Sequence, residues 1–417
     1  MQEKIKSANE DRCRNDHTEF GLKLLNERPI EQDCQYYRKA LALNPENAEA
    51  HKNLAIALRQ KGEVELAIKH LERALHLNTI QERPNFTQSR IFYFCPDLEI
   101  KSGGVRRLYR HVDILVRNGF AAEILHARAG FVLPDQPNVP VSYLETPGVL
   151  RKNDIVVIPE GGPQVMLKLK DLPIRRFVIA LSWSYIFSTL PDGMDWRDFN
   201  IERVLVVCPF IGDMVSWSMD LPIHSIDFAI NPDLYHYRPE IKKHKIAYIQ
   251  PKARDIDAFR RLLAARNTDY VDKFEWTALK DLSEEDFAAQ IRESSVFLNL
   301  SKAEGLMIGC LEAMSAGCIL VGFNSVGGQD KLVGEGNRQN CILAQNGDYV
   351  SLAFKIEPLF RDLLRGKKDL WEPVIQNGIK KIAHHTPVSE EKSVIKFWHS
   401  ILYGDEFGDG LNQKLIA

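Results

Sequence analysis

Residues 298–328 read LNLSKAEGLMIGCLEAMSAGCILVGFNSVGG, and this stretch decides the fold. The apolar run 296–300 has the character of a buried parallel strand. Glu304-Gly305 interrupts it. The spacing then predicts a helix over 307–316, with Gly317 as its C-terminal stop. Ile319-Leu320-Val321-Gly322-Phe323 is the next strand. Together these make one βαβ unit, and ligands of such sheets sit at the carboxyl ends of the strands.

Two glutamates carry the chemistry. Glu304 lies at the strand end, and Glu312 lies inside the helix among Ile308, Leu311, Ala313 and Met314. A carboxylate in so apolar a helix is costly to bury without a partner. At 1.5 Å of rise per residue, Glu312 is expected roughly 8–9 Å along the axis from the first turn. Glu304 would hold one end of an extended ligand and Glu312 the other. The free N–H groups of the first turn would face a phosphate between them.

Glu304, seven residues, Glu312, then Ala313-Met314-x-Ala316-Gly317 and Gly327-Gly328, resembles the donor-site signature of retaining glycosyltransferases with the GT-B fold, glycosyltransferase family 4. The resemblance implies that Glu304 lies by the donor sugar and Glu312 binds the nucleotide ribose. It adds Gly305, Leu306 and Met307 to the donor loop. The family pattern is Glu-Gly-Phe-Gly, whereas this chain has Glu304-Gly305-Leu306-Met307, so a glycine is replaced.

The 417 residues predict two to three domains. A hydrophobic content of 45% and a charged content of 26% fit a soluble protein. With 54 basic and 56 acidic residues the net charge is -2, which leaves no nucleic-acid footprint. Cys13, Cys34, Cys95, Cys208, Cys310, Cys318 and Cys341 are scattered without a CxxC pair. They read as reduced core residues of a cytoplasmic protein. No apolar run reaches membrane-spanning length, and Met1-Gln2-Glu3-Lys4 does not open a signal peptide. Peripheral attachment at the inner membrane face stays open.

The N-terminal region is polar, helix-prone and repeats with a period of 34: Ala40-Leu41 recurs as Ala74-Leu75, and Leu43-Asn44 as Leu77-Asn78. Leu54, Ala55, Leu58, Gly62, Ala67, Ala74 and Leu75 resemble a tetratricopeptide repeat, with a degenerate copy before it. A protein-binding surface over residues 14–80 and a structural appendage are both open.

After a linker, Arg90-Ile91-Phe92-Tyr93-Phe94-Cys95-Pro96 is a first strand, and the loop to Gly103-Gly104 leads into a helix ending near Asn118. This order resembles the start of GT-B enzymes, where the glycine loop approaches the donor diphosphate; the alternative is a tight turn. Arg106 and Arg107 open the helix toward phosphate or acceptor, or form an exposed face. A strand over 154–160 ends in Glu160, and one over 176–181 ends in Ser182-Trp183-Ser184-Tyr185, at the cleft by the strand-end rule. Many family members place a His here. This chain has none, which leaves Ser182, Ser184 or Glu160 an acceptor-facing role, with a packed aromatic loop as the alternative. After the strand 245–250, the resemblance assigns Lys252 and Arg254 to the donor diphosphate, although Pro251 departs from the usual pattern. His384-His385 reads as a helix end, not a metal pair. The last helix, over 389–402, carries Val394, Phe397, Trp398 and Ile401 at helical spacing.

The expected fold class is α/β: a GT-B fold of two Rossmann-like domains with parallel sheets, after a small all-α repeat segment. The domains fall at 1–82, 88–238 (acceptor), 239–387 (donor) and 388–417, the last a helix crossing back to the acceptor domain. The resemblance implies a retaining, metal-independent glycosyltransferase of hexosyltransferase type. It would use a nucleotide-sugar as substrate, no cofactor, and a glycan, lipid-linked or protein acceptor. The rival reading is a degenerate GT-B body that acts with the repeats as a binding platform.

Overall fold

The computed structural model describes residues 30–43, 45, 47–81, 89–98, 102–134, 136–250, 255–302, 305–325 and 327–404. The chain divides into two compact units, residues 1–86 and 87–417.

In the first unit, helices α1 (Ile30–Leu43), α2 (Ala48–Gln60) and α3 (Val64–Gln81) follow one another. Asn47 caps α2 by accepting the N–H of Ala50 at 2.9 Å. Gly62 turns the chain into α3 with φ +85°. Leu54, Ala55, Ala57 and Leu58 of α2 pack with Cys34 and Tyr37 of α1 and Ala67 of α3. The small residues let the helix axes approach, which is why the sequence alternates Ala with Leu here.

The second unit holds two parallel sheets. The first contains β1 (Ile91–Phe94), β2 (Ala122–His126), β3 (Val141–Tyr143), β4 (Ile155–Pro159), β5 (Arg175–Ala180), β6 (Arg203–Val206) and β7 (Ile223–Ser225), in the order 3-2-1-4-5-6-7. Its helices are α4 (Gly103–Arg117), α5 (Pro163–Leu169), α6 (Trp183–Thr189) and α7 (Pro209–Met219). The second sheet contains β8 (Lys243–Ile249), β9 (Glu275–Leu279), β10 (Ser294–Asn299), β11 (Ile319–Phe323) and β12 (Cys341–Ala344), in the order 12-11-10-8-9. Around it lie α8 (Ile256–Arg266), α9 (Asp269–Asp272), α10 (Glu284–Glu293), α11 (Ile308–Ser315), α12 (Tyr349–Leu364) and α13 (Glu372–Ile382). Apolar runs such as Ile155–Pro159 and Ile319–Phe323 are buried on both faces, as strands covered by helices on each side must be.

Both sheets reverse their strand order, one between β1 and β4 and the other between β8 and β10. These switch points are where doubly wound sheets hold ligands. The chain leaves β1 into α4 and leaves β10 into α11. The last helix, α14 (Pro387–Tyr403), packs on the first sheet's side, with Val394, Phe397 and Trp398 buried. Its Trp398 donates to the Tyr93 hydroxyl at 3.1 Å and stacks on Phe177. His385 is stacked on Phe228, with ring centroids 4.0 Å apart. Among the described residues no helix is long and apolar enough to cross a membrane. Cys34, Cys95, Cys208, Cys310, Cys318 and Cys341 are all buried.

Candidate active site

The site grows from two helix beginnings brought face to face. Ser102 caps α4 by accepting the N–H of Val105 at 3.1 Å. Gly103 and Gly104 are thereby the first two residues of the helix, not part of the loop that the sequence predicts. A Cβ at Gly103 would lie 3.3 Å from Ile308 Cγ2 on α11, and one at Gly104 would lie 3.2 Å from Leu181 Cδ1. The paired glycines let the start of α4 close on both.

Beside them, β4 and β5 end at Glu160 and Leu181. Glu160 is buried, and its carboxylate accepts the N–H groups of Leu181 (3.1 Å) and Ser182 (2.7 Å). Burial pushes its pKa up to about 7, and the backbone donors oppose that rise only in part. Glu160 therefore fixes the Leu181-Ser182 turn from beneath. Ser182 is half-buried, and its hydroxyl lies 3.0 Å from that of Ser184.

Across the seam stands the loop that leads into α11. A Cβ at Gly305 would lie only 2.0 Å from the Leu181 carbonyl oxygen, so no side chain fits there. Leu306 and Met307 are 7% and 4% exposed, with side chains in the core. Met307 is the N-cap of α11 and adopts the left-handed conformation, φ 55° and ψ 43°. The backbone shape that favours glycine is thus kept by a methionine, at about 1–2 kcal/mol of strain. Its sulfur accepts from the Ser325 hydroxyl at 2.8 Å and the Asn299 amide at 3.6 Å, which anchors the side chain. Met307 gives α11 no side-chain cap.

One turn further on, Glu312 is 4% exposed. Its carboxylate faces Arg106 of α4 at 3.9 Å, and the same guanidinium binds Glu284, at the start of α10, at 2.7 Å. Burial raises the Glu312 pKa to about 7; Arg106 opposes this, but at 3.9 Å it does not offset the lost hydration. Arg106 itself is held protonated, with Glu312 and Glu284 both acting on it. Gly103, Arg106, Arg107, Glu284, Ile308 and Glu312 line a common pocket with about 50 Å³ of free space. Pockets for small ligands run to about 300–1,000 Å³.

The structure thus gathers Gly103 and Glu312 in one pocket, and Gly104, Ser182 and Gly305 along the adjoining seam. Glu160 stands behind that seam, turned into the protein. Glu304, Lys252 and Arg254 lie outside the described residues. Arg106 and Glu284 complete the pocket. Arg106 was legible as one of two arginines opening a glycine-led helix, whereas nothing local marked Glu284 beyond its place in a capped first turn. Among the described residues no group of three or more His, Cys, Asp or Glu is placed to hold a metal ion.

Two doubly wound parallel sheets, joined by a returning C-terminal helix and facing each other across paired helix N-termini, define the GT-B architecture of glycosyltransferases. Residues 252–362 match the family model for Glycosyl transferases group 1, and residues 36–69 match that for the tetratricopeptide repeat. Strands β9 to β12 thus fall inside the match to Glycosyl transferases group 1, and helix α2 inside that to the tetratricopeptide repeat. The chain is 22% identical over 319 residues to an alpha-1,6-glucosyltransferase of Actinobacillus pleuropneumoniae serotype 7, a match spanning 73% of this chain and 92% of the relative. Among solved structures it resembles sucrose-phosphate synthase from Thermosynechococcus elongatus (TM-score 0.55, 12% identity, 75% of this chain and 99% of that one). It also resembles Anabaena HepE in complex with UDP-glucose (TM-score 0.53, 12% identity, 75% and 99%). At these identities the two structures establish the fold.

Proposed function

We propose that this chain is a retaining glycosyltransferase that moves a sugar from a nucleotide-sugar donor to a glycan, lipid-linked or protein acceptor, without a metal ion. The observation that carries the reading is Glu312. It is a buried carboxylate at a sheet switch point, facing the cleft, inside the region that matches Glycosyl transferases group 1.

Each part of the donor then has a place. The ribose hydroxyls donate to Glu312. The diphosphate sits at the start of α11, where the helix dipole is positive and the N-cap supplies no side-chain acceptor to compete. Lys252 and Arg254 add charge from the loop after β8. Glu304 stands by the sugar. Closure of Gly305 against Leu181 excludes water while the leaving diphosphate is stabilised. UDP-glucose is the first donor to try, because HepE was solved with it and the curated relative is a glucosyltransferase.

The rival reading, an inactive platform, rests on the missing His, the disrupted Arg/Lys pair and the lost glycine at Met307. The left-handed backbone retained there weighs against it. The test is release of nucleoside diphosphate from a panel of nucleotide sugars, with NMR of the anomeric product. Wild type is expected to turn over one donor with the anomer retained, and Glu304→Ala to lose at least about 100-fold of the rate. A folded wild type that turns over none supports the platform instead, and an inverted product removes the retaining assignment.

A further inference from the structure

We infer that Arg106 is a donor-binding residue supplied by the acceptor-side domain, which exchanges Glu312 for the donor's diphosphate when the ribose takes that carboxylate. The inference rests on the donor site proposed above and adds a residue from the opposite bank.

Helix α4 turns Arg106, Arg107 and Arg110 toward the pocket. Two of the three are committed elsewhere. Arg107 approaches Glu390 of α14 at 3.5 Å, and Arg110 also pairs with Glu390, which is 1% exposed. Arg106 alone reaches across to the donor domain. One of its terminal nitrogens binds Glu284 at 2.7 Å, while the other stands 3.9 Å from Glu312, beyond hydrogen-bond distance. Its side chain is 34% exposed, against 7% for Arg107; Arg110, at 36%, is as open but is held by Glu390 on α14.

Charge fixes the direction of that turn. Arg106 offers five N–H donors and remains charged. A ribose bonded to Glu312 takes up the acceptor that Arg106 faces. The diphosphate attached to the same ribose brings about two negative charges within a few ångströms. Guanidinium to phosphate is the stronger, bidentate arrangement. The pocket's free space of about 50 Å³ requires the same event, because the guanidinium occupies the space in front of Glu312. Exchange of partners opens that space, keeps the positive charge beside the phosphates and leaves the bond to Glu284 as a tether between domains. Gly103, one turn before Arg106 on the same face, lets α11 come close enough for a single side chain to serve both positions.

The exchange predicts effects of opposite sign on two halves of one ligand. Isothermal titration would compare wild type with Arg106→Gln, using uridine with UDP and, in parallel, the guanine and adenine pairs. Arg106→Gln is expected to bind the nucleoside about tenfold tighter, because Glu312 is unblocked, and the diphosphate about tenfold weaker. Glu284→Gln, which frees the guanidinium without removing it, is expected to tighten the diphosphate. Equal affinities in wild type and Arg106→Gln, or tightening of both ligands, would overturn the exchange and leave the donor site standing. A folded wild type that binds no nucleoside diphosphate in the panel overturns the donor site itself. Melting curves of both variants keep loss of fold distinct from loss of binding.

Discussion

Glu160 and Glu312 sit on opposite banks of one cleft, and they differ in what answers their charge. Both are 4% exposed and both are pushed to about 7 by burial. Glu160 is answered locally, by the N–H groups of Leu181 and Ser182 in its own domain. Glu312 is answered by side chains from distant parts of the chain, Arg106 at 3.9 Å and the Tyr235 hydroxyl, both of which oppose the rise. A buried carboxylate satisfied by its own backbone is part of the scaffold. One left facing a cleft has kept its acceptors for something that arrives. Burial and pKa alone do not separate the two, whereas the hydrogen-bond partners do.

The largest expected effect tests whether the banks must meet. Gly305→Ala puts a methyl group where the Leu181 carbonyl oxygen stands, 2.0 Å from the new carbon. The folded protein should lose at least about 100-fold of its transfer rate, since a misplacement of about 1 Å in a closed site has that effect. Its circular dichroism should remain that of wild type. Unchanged turnover would mean that the two banks need not touch during the reaction.

Next comes the scaffold glutamate. Glu160→Ala leaves two buried N–H groups unpaired, at about 3 kcal/mol in a denaturant titration. Acidity gives a second reading of the same residue. Its folded pKa of about 7 lies above the ordinary 4.5, so the folded state holds a proton that the unfolded chain has already lost. That contribution to stability is complete below pH 4.5 and is lost as pH rises through 7. Glu312 adds a second contribution of the same sign. Glu160→Gln combined with Glu312→Gln is expected to flatten the decline in melting temperature between pH 4.5 and 7. A decline as steep as that of wild type would place the titration elsewhere.

The smallest effect concerns Met307. Alanine there loses the buried side chain and keeps the left-handed strain, whereas glycine loses the side chain and releases the strain. Met307→Gly should therefore be the more stable of the two by about 1 kcal/mol, the reverse of the order inside a helix. Melting curves of both variants decide it.

The half of this comparison built on the second sheet was legible in the sequence, and the half built on the first much less so. The βαβ unit announced itself because its strands are unbroken apolar runs and its helix ends at Gly317, where φ is +75°. Strand β11 falls at the limits the pattern predicts. Strand β3 was not visible, since Val141–Tyr143 is three residues long and only partly covered. The beginning of α4 was misread as loop because two glycines argue against helix until Ser102 is seen to cap it. The direction in which Glu160 points, and the crossing of Arg106 to Glu284 and Glu312, depend on elements more than twenty residues away. No local pattern encodes such contacts, although the glycine pair that permits the approach does stand in the sequence.

The central claim is that Glu312 is kept for a nucleotide ribose, and the most direct test is nucleotide affinity in wild type beside Glu312→Gln. The substitution keeps the size of the side chain and removes its charge. Wild type should bind one nucleoside diphosphate, and at 100 times the dissociation constant that ligand should add about 2.7 kcal/mol of stability, a shift of a few degrees in melting temperature. Glu312→Gln should stay folded and bind that ligand about 10- to 100-fold more weakly. Equal affinity in the two proteins would show that the buried glutamate serves the fold, as Glu160 does, and would move the ribose to another part of the cleft.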